Sequence, residues 1–224
     1  MDTYKIPRHK VFVSYHHKND QSFKDYLVGL TEYNPERREN QFIFDDLSVD
    51  QNGIDDKGMT NEQVRKTIRD DYIRDATVLI LLCGCETSKR KFVDWELQAA
   101  MYDDPIKFKL GILIINLPSL NHQNCVYAGE KGERGIVGAK RVDSIPFQNR
   151  NEIQKRFPFL PSRIIDNFDA ARTKDNIVPI TVVEWDRIKK NIGVIKTLIH
   201  NAFLRGRNRS LHYNNSKELK GRNR

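Results

Sequence analysis

The chain is poor in cysteine, with three residues in 224: Cys83, Cys85 and Cys125. An odd number at irregular spacing makes no disulfide framework and fits a reducing cytoplasm. No apolar run approaches the roughly 20 residues that a spanning helix requires. The longest, Val78–Cys83 and Gly111–Ile115, are strand-sized. The opening MDTYKIPRHK lacks the apolar stretch of a secretory signal, so neither export nor a membrane partner is expected. There is no G-x-G-x-x-G and no Walker A segment, which argues against a dinucleotide-dependent oxidoreductase and a P-loop enzyme. Cys83-Gly84-Cys85 and His16-His17 have no second pair at ligand spacing, so no zinc site or other metal is expected. Cys83 ends an apolar run and reads as core. A phosphate-accepting receiver domain would need an acidic pair after its first strand, where Ser14-Tyr15-His16-His17 stands instead.

What the chain does have is a length and an apolar fraction (38%) sufficient for one α/β domain with a proper core. Its net charge of +8 is unevenly placed. Residues 205–224 carry seven Lys/Arg and one acid, Glu218, which leaves only +2 for the remainder. We therefore read residues 1–204 as the domain and 205–224 as a solvated, disordered basic tail. That reading is preferred to contact with nucleic acid or anionic lipid.

Along the chain, Lys10–Tyr15 reads as a buried first strand. Asn19 or Asp20 can cap the helix that follows, with Phe23, Tyr26, Leu27 and Leu30 on one face. Gln41–Phe44 is a short second strand ending at Asp45-Asp46. Residues 47–59, with Gly53 and Gly58, form a loop. Thr60 and Gln63 make a capping box for a helix marked by Val64, Ile68 and Tyr72. Thr77–Leu82 is a third strand covered on both faces. Ser88 can cap a third helix reaching about Asp103 before Pro105. Lys109–Asn116 contains a fourth strand, Ile177–Val183 is the last, and Ile188, Ile192, Ile195, Ile199 and Phe203 define one final helix. Residues 117–176 show no clear period and read as an insertion packed on the core. This alternation predicts a parallel sheet of about five strands with helices on both faces. Ligands of such sheets bind outside the carboxyl ends of the strands, which selects Ser14–Asp20, Asp45–Gly58 and Cys83–Ser88.

Glu96 lies in the third helix, one turn after Phe92 and beside the apolar stripe Val93, Leu97, Ala100 and Met101. A helical carboxylate ordinarily joins an ion pair with a neighbouring turn. Glu96 has Phe92, Val93, Ala99 and Ala100 at those positions, so no such partner exists. A carboxylate held beside an aromatic ring near a strand-end crevice is a candidate for catalysis. Ser14, Tyr15, His16 and His17 could hold phosphate or ribose at a helix start, or simply shape the turn. Asp45 and Asp46 could touch ribose hydroxyls, or cap the following loop.

The run KVFVSYHHKND, Lys10–Asp20, resembles the opening strand and loop of TIR-like proteins. The segment Gly84–Leu97 resembles the one in which an aromatic residue precedes the catalytic glutamate by four. The resemblance is strongest to the TIR-like family of Thoeris anti-phage defence. There glycine, threonine, arginine, an aromatic, valine and glutamate stand where Gly84, Thr87, Arg90, Phe92, Val93 and Glu96 stand here. It covers about residues 10–116 well and 177–204 less well. It implies a flavodoxin-like fold and NAD as substrate rather than as cofactor. It also implies Glu96 as the catalytic carboxylate and Phe92 as a wall of the pocket, where the wider family more often has tryptophan. The reaction would release nicotinamide and make a signal, a cyclic ADP-ribose isomer or ADP-ribose joined to an amino acid, that an effector protein reads. Homo-oligomers are a further expectation. The other reading is a non-catalytic TIR module for protein assembly, because the fold alone does not decide function.

Overall fold

A computed structural model describes residues 6–30, 43–48, 57–120, 125–138 and 147–219. Its centre is a parallel five-stranded sheet in the order β2-β1-β3-β4-β5. The strands are β1 (His9–Ser14), β2 (Phe44–Asp46), β3 (Val78–Cys83), β4 (Gly111–Asn116) and β5 (Thr181–Glu184). Alternation along each strand sorts the core into two layers. Phe12, Leu79, Leu81, Ile112, Ile114 and Val182 face one side, under α2 (Asn61–Thr67), α3 (Lys91–Met101) and α6 (Ser162–Ala171). Val11, Val13, Ile80, Leu82, Leu113 and Val183 face the other, under α1 (His17–Gly29), α7 (Trp185–Lys190) and α8 (Ile192–Arg207). All six residues of β3 and of β4 are buried, because both faces are covered. The result is the three-layer α/β architecture that the strand–helix alternation predicts, in the flavodoxin-like form that the resemblance implies.

Close backbone contact fixes α8 on this sheet. A side-chain carbon at Gly111 would lie 1.9 Å from the Ala202 carbonyl oxygen. Only glycine lets the start of β4 meet the helix at that distance.

The capping box forms as expected: Gln63 N–H donates to Thr60 Oγ1 at 3.1 Å, and Thr60 N–H donates to Gln63 Oε1 at 2.6 Å. Past α2 the chain widens into a π-helical turn, Ile68–Tyr72. Other expectations need correction. The cap of α1 is His16, whose carbonyl accepts from the Asn19 and Asp20 N–H groups; Asp20 is turned inward and buried. Ser88 caps nothing. It lies in a 3-10 turn, Thr87–Lys89, and α3 begins after Arg90. Asp45 and Asp46 do end β2, as expected, and Asp45 is in register with Lys10. Gln41 and Phe42, and most of the 47–59 loop, lie outside the described residues.

The last strand is shorter than expected, because Ile177 bridges to His212 instead and Pro179 lacks a ladder donor. The final helix is two: Asn191 ends α7 and caps α8, its Oδ1 accepting from Gly193 N–H at 3.0 Å. The insertion is substantially helical, with α4 (Arg134–Val137), α5 (Arg150–Arg156) and α6. Nor is 205–219 a free tail. Arg205 and Arg207 end α8, Arg205 is 3% exposed, and Tyr213 and Leu219 enter the core beneath α3 and α6. The reason is apolar and hydrogen-bonding content that net charge conceals. Residues 220–224 lie outside the described set.

Candidate active site

The chain order reverses between β1 and β3, so the crevice expected of this fold opens at their carboxyl ends. β1 ends there at Ser14 and β3 at Cys83, followed by Gly84. From Gly84 the chain folds back on itself through Thr87. This fully buried hydroxyl accepts from Gly84 N–H at 2.8 Å and donates to the Leu82 carbonyl at 3.4 Å. That turn aims α3 across the sheet and sets its inner face, Val93, Leu97, Ala100 and Met101, into the core. Glu96 comes with it and is 5% exposed. Ser14 Oγ donates to Glu96 Oε2 at 2.5 Å, a short bond joining the last residue of β1 to the middle of α3.

His16 lies beside this corner. It is buried, its Nδ1 has no hydrogen-bond partner, and it is close enough to sense Arg90 and Glu86 of the loop before α3. Burial, reinforced by the Arg90 charge, lowers its pKa and favours neutral imidazole. Asp20 completes the corner from α1. A side-chain carbon on Gly84 would sit 2.8 Å from its Oδ2, so glycine at 84 is what admits the carboxyl. Burial raises the Asp20 pKa against the opposing hydrogen bond from the His16 backbone. Burial, and then the Asp20 charge, push the Cys83 thiol far up, which leaves it inert. Reading Asp20 as a cap missed this placement; the signal was a lone acid four residues after the strand-end histidine.

The other candidates are distributed unevenly. Tyr15 points to the opposite face of the sheet, where it donates to Gln21 Oε1 at 2.7 Å and stacks on His17. These two are therefore separated from Ser14 and Glu96 by the sheet. Asp45 pairs with Arg8 at 2.8 Å. Asp46 pairs with Lys24 at 3.3 Å and accepts from Ser48 N–H and Oγ at 3.0 and 2.5 Å. The loop-capping reading thus describes the contacts of Asp46, whereas Asp45 is engaged by Arg8. Phe92 is half-buried, edge-on to Trp95 with centroids 5.2 Å apart, one helical turn from Glu96. The zone that is both buried and polar thus comprises Ser14, His16, Asp20 and Glu96. Chemically it offers one fixed carboxylate, a neutral imidazole and a hydroxyl, facing a helix start.

Residues 12–122, from β1 through β4 and the turn beyond it, match the family model described as Thoeris protein ThsB, TIR-like domain. The chain is a TIR-like domain protein of the Thoeris ThsB kind. No curated protein matches it.

Proposed function

We propose that this chain cleaves NAD at the nicotinamide–ribose bond, with Glu96 as the catalytic carboxylate. The observation that carries the reading is Glu96 itself, buried at the switch point and fixed by Ser14 Oγ at 2.5 Å. Nicotinamide in NAD is already a cationic pyridinium and leaves without a general acid. The difficulty is the oxocarbenium-like ribosyl transition state. A preorganised carboxylate stabilises that developing positive charge and grips the ribose hydroxyls. Phe92 would wall the nicotinamide side, and His16, kept neutral, would offer a hydrogen bond without repelling the cation. In the Thoeris setting the product is an ADP-ribose-derived signal, a cyclic isomer or an amino-acid conjugate, read by a downstream effector. Incubation with NAD, followed by mass spectrometry of nicotinamide and new nucleotides, tests this. Release by the wild-type chain supports it, and the product mass identifies the acceptor of ADP-ribose.

A second reading, a non-catalytic assembly module, draws on one observation. Ile106 is 87% exposed at the rim of a cleft of about 380 Å³ lined by Tyr102, Pro105 and Arg65. This cleft is at the other end of the sheet from Glu96. Under that reading NAD is neither bound nor consumed.

A further inference from the structure

We propose that Arg163 is a positioning residue for Glu96, and that residues 214–218 are a working part of the site through it. This rests on the reading that Glu96 carries the reaction. Arg163, on α6, is wholly buried, and all five of its N–H groups are engaged. Nε donates to Asp94 Oδ1 at 3.1 Å and Nη2 to Asp94 Oδ2 at 3.0 Å. Nη2 also donates to the Glu218 carbonyl at 3.1 Å. Nη1 donates to Asn215 Oδ1 at 3.1 Å and to the Lys217 carbonyl at 2.9 Å.

Asp94 belongs to α3, two residues before Glu96, and is 4% exposed. Two residues on a helix are roughly 200° apart about its axis. Ser14 therefore holds α3 from one side, through Glu96, and Arg163 holds it from nearly the opposite side. A bidentate fork fixes rotation as well as distance. The C-terminal segment grips the same helix directly. Asn215 Nδ2 donates to the Gln98 carbonyl at 3.1 Å, and Gln98 Nε2 donates to the Lys217 carbonyl at 3.4 Å. The segment is itself anchored by Asn167, which donates to the Asn214 carbonyl at 3.0 Å and accepts from Asn214 N–H at 2.8 Å. Buried ion pairs of this kind add little stability over apolar packing. What this one supplies is a single orientation of the helix that carries the carboxylate. Misplacement of a catalytic group by about 1 Å costs on the order of 100-fold in rate.

The test uses the full-length chain, Arg163→Lys, and a chain ending at Ser216. Lysine keeps the charge and loses the fork. The shortened chain keeps the Asp94 pair and loses two of the five acceptors. Both are first checked for cooperative unfolding. Nicotinamide release gives kcat and KM separately, and amide hydrogen exchange is followed in α3, β3 and β4. For Arg163→Lys we expect kcat to fall at least about tenfold with KM nearly constant. Exchange in α3 should speed about tenfold while β3 and β4 stay protected. The shortened chain should move the same way by less. Release by the wild type that neither variant alters overturns the positioning role alone. Uniform loss of protection across the sheet, with kcat tracking the folded fraction, also overturns it. No release by any chain, the wild type included, overturns the enzymatic reading on which it rests.

Discussion

The two ends of the sheet treat buried polar groups in opposite ways. At the amino end most are pulled into partnered networks, although Arg69 Nε makes no hydrogen bond and lies 3.8 Å from Asp104. Arg69, 6% exposed, donates to four carbonyls, those of Ala99, Tyr102, Lys107 and Phe108, at 2.6–3.3 Å. Lys109, 2% exposed, pairs with Asp103 at 3.1 Å and donates to the Asn208 carbonyl. Carboxylates there are held below their ordinary range: Asp104 by the Lys107 backbone N–H, Asp70 by the Lys107 ammonium. At the carboxyl end the Asp20 pKa is raised by burial, and neither His16 Nδ1 nor Asn116 Oδ1 has a partner. One end is built to stop α3 and start β4 with most of its donors engaged. The other keeps polar groups short of partners, which costs stability and leaves capacity for a ligand.

The comparison can be broken most severely at the amino end. Arg69→Met removes the guanidinium donor from four carbonyls, of which those of Ala99 and Lys107 keep a backbone donor, and should cost about 3–5 kcal/mol, read by denaturant unfolding. A cost under about 1 kcal/mol would mean that the network is dispensable. At the carboxyl end, Ser14→Ala removes one donor from Glu96. Nicotinamide release should drop about tenfold, with stability lowered by no more than about 1.5 kcal/mol. A large stability loss with unchanged turnover would make the Ser14 bond structural.

The gentlest probe is Asp20→Asn. The folded-state pKa of Asp20 is raised, so the native state binds its proton more tightly than the unfolded chain does. That contribution is present below the ordinary value of 3.8 and is lost as pH rises through the folded value. The variant, unable to ionise, should gain melting temperature relative to wild type between pH 4 and pH 7. A gap independent of pH would show that Asp20 is not strained.

Local patterns carried much of this architecture. The aliphatic runs of β1, β3 and β4 and the Thr60–Gln63 box are each decided by neighbouring residues, and they lie where pattern places them. So does the apolar stripe that buries Glu96 beside Phe92. The Ser14 bond to Glu96 spans 82 residues and the Arg163 pair with Asp94 spans 69, so no local pattern announces either. The helix α6 was legible in retrospect: Ile164, Ile165 and Phe168 face the core just after Pro161. The C-terminal segment was not, because its ordering depends on partners in α3 and α6 and its composition suggested only charge.

The most direct measurement is nicotinamide release from NAD by the wild-type chain and by Glu96→Gln, with and without lysate from phage-infected cells. NAD binding should be measured beside it. The account predicts release by the wild type and a loss of at least about 100-fold in the variant, which still folds and still binds NAD. Equal release by the two chains, or neither binding nor release by the wild type under any condition, would contradict it.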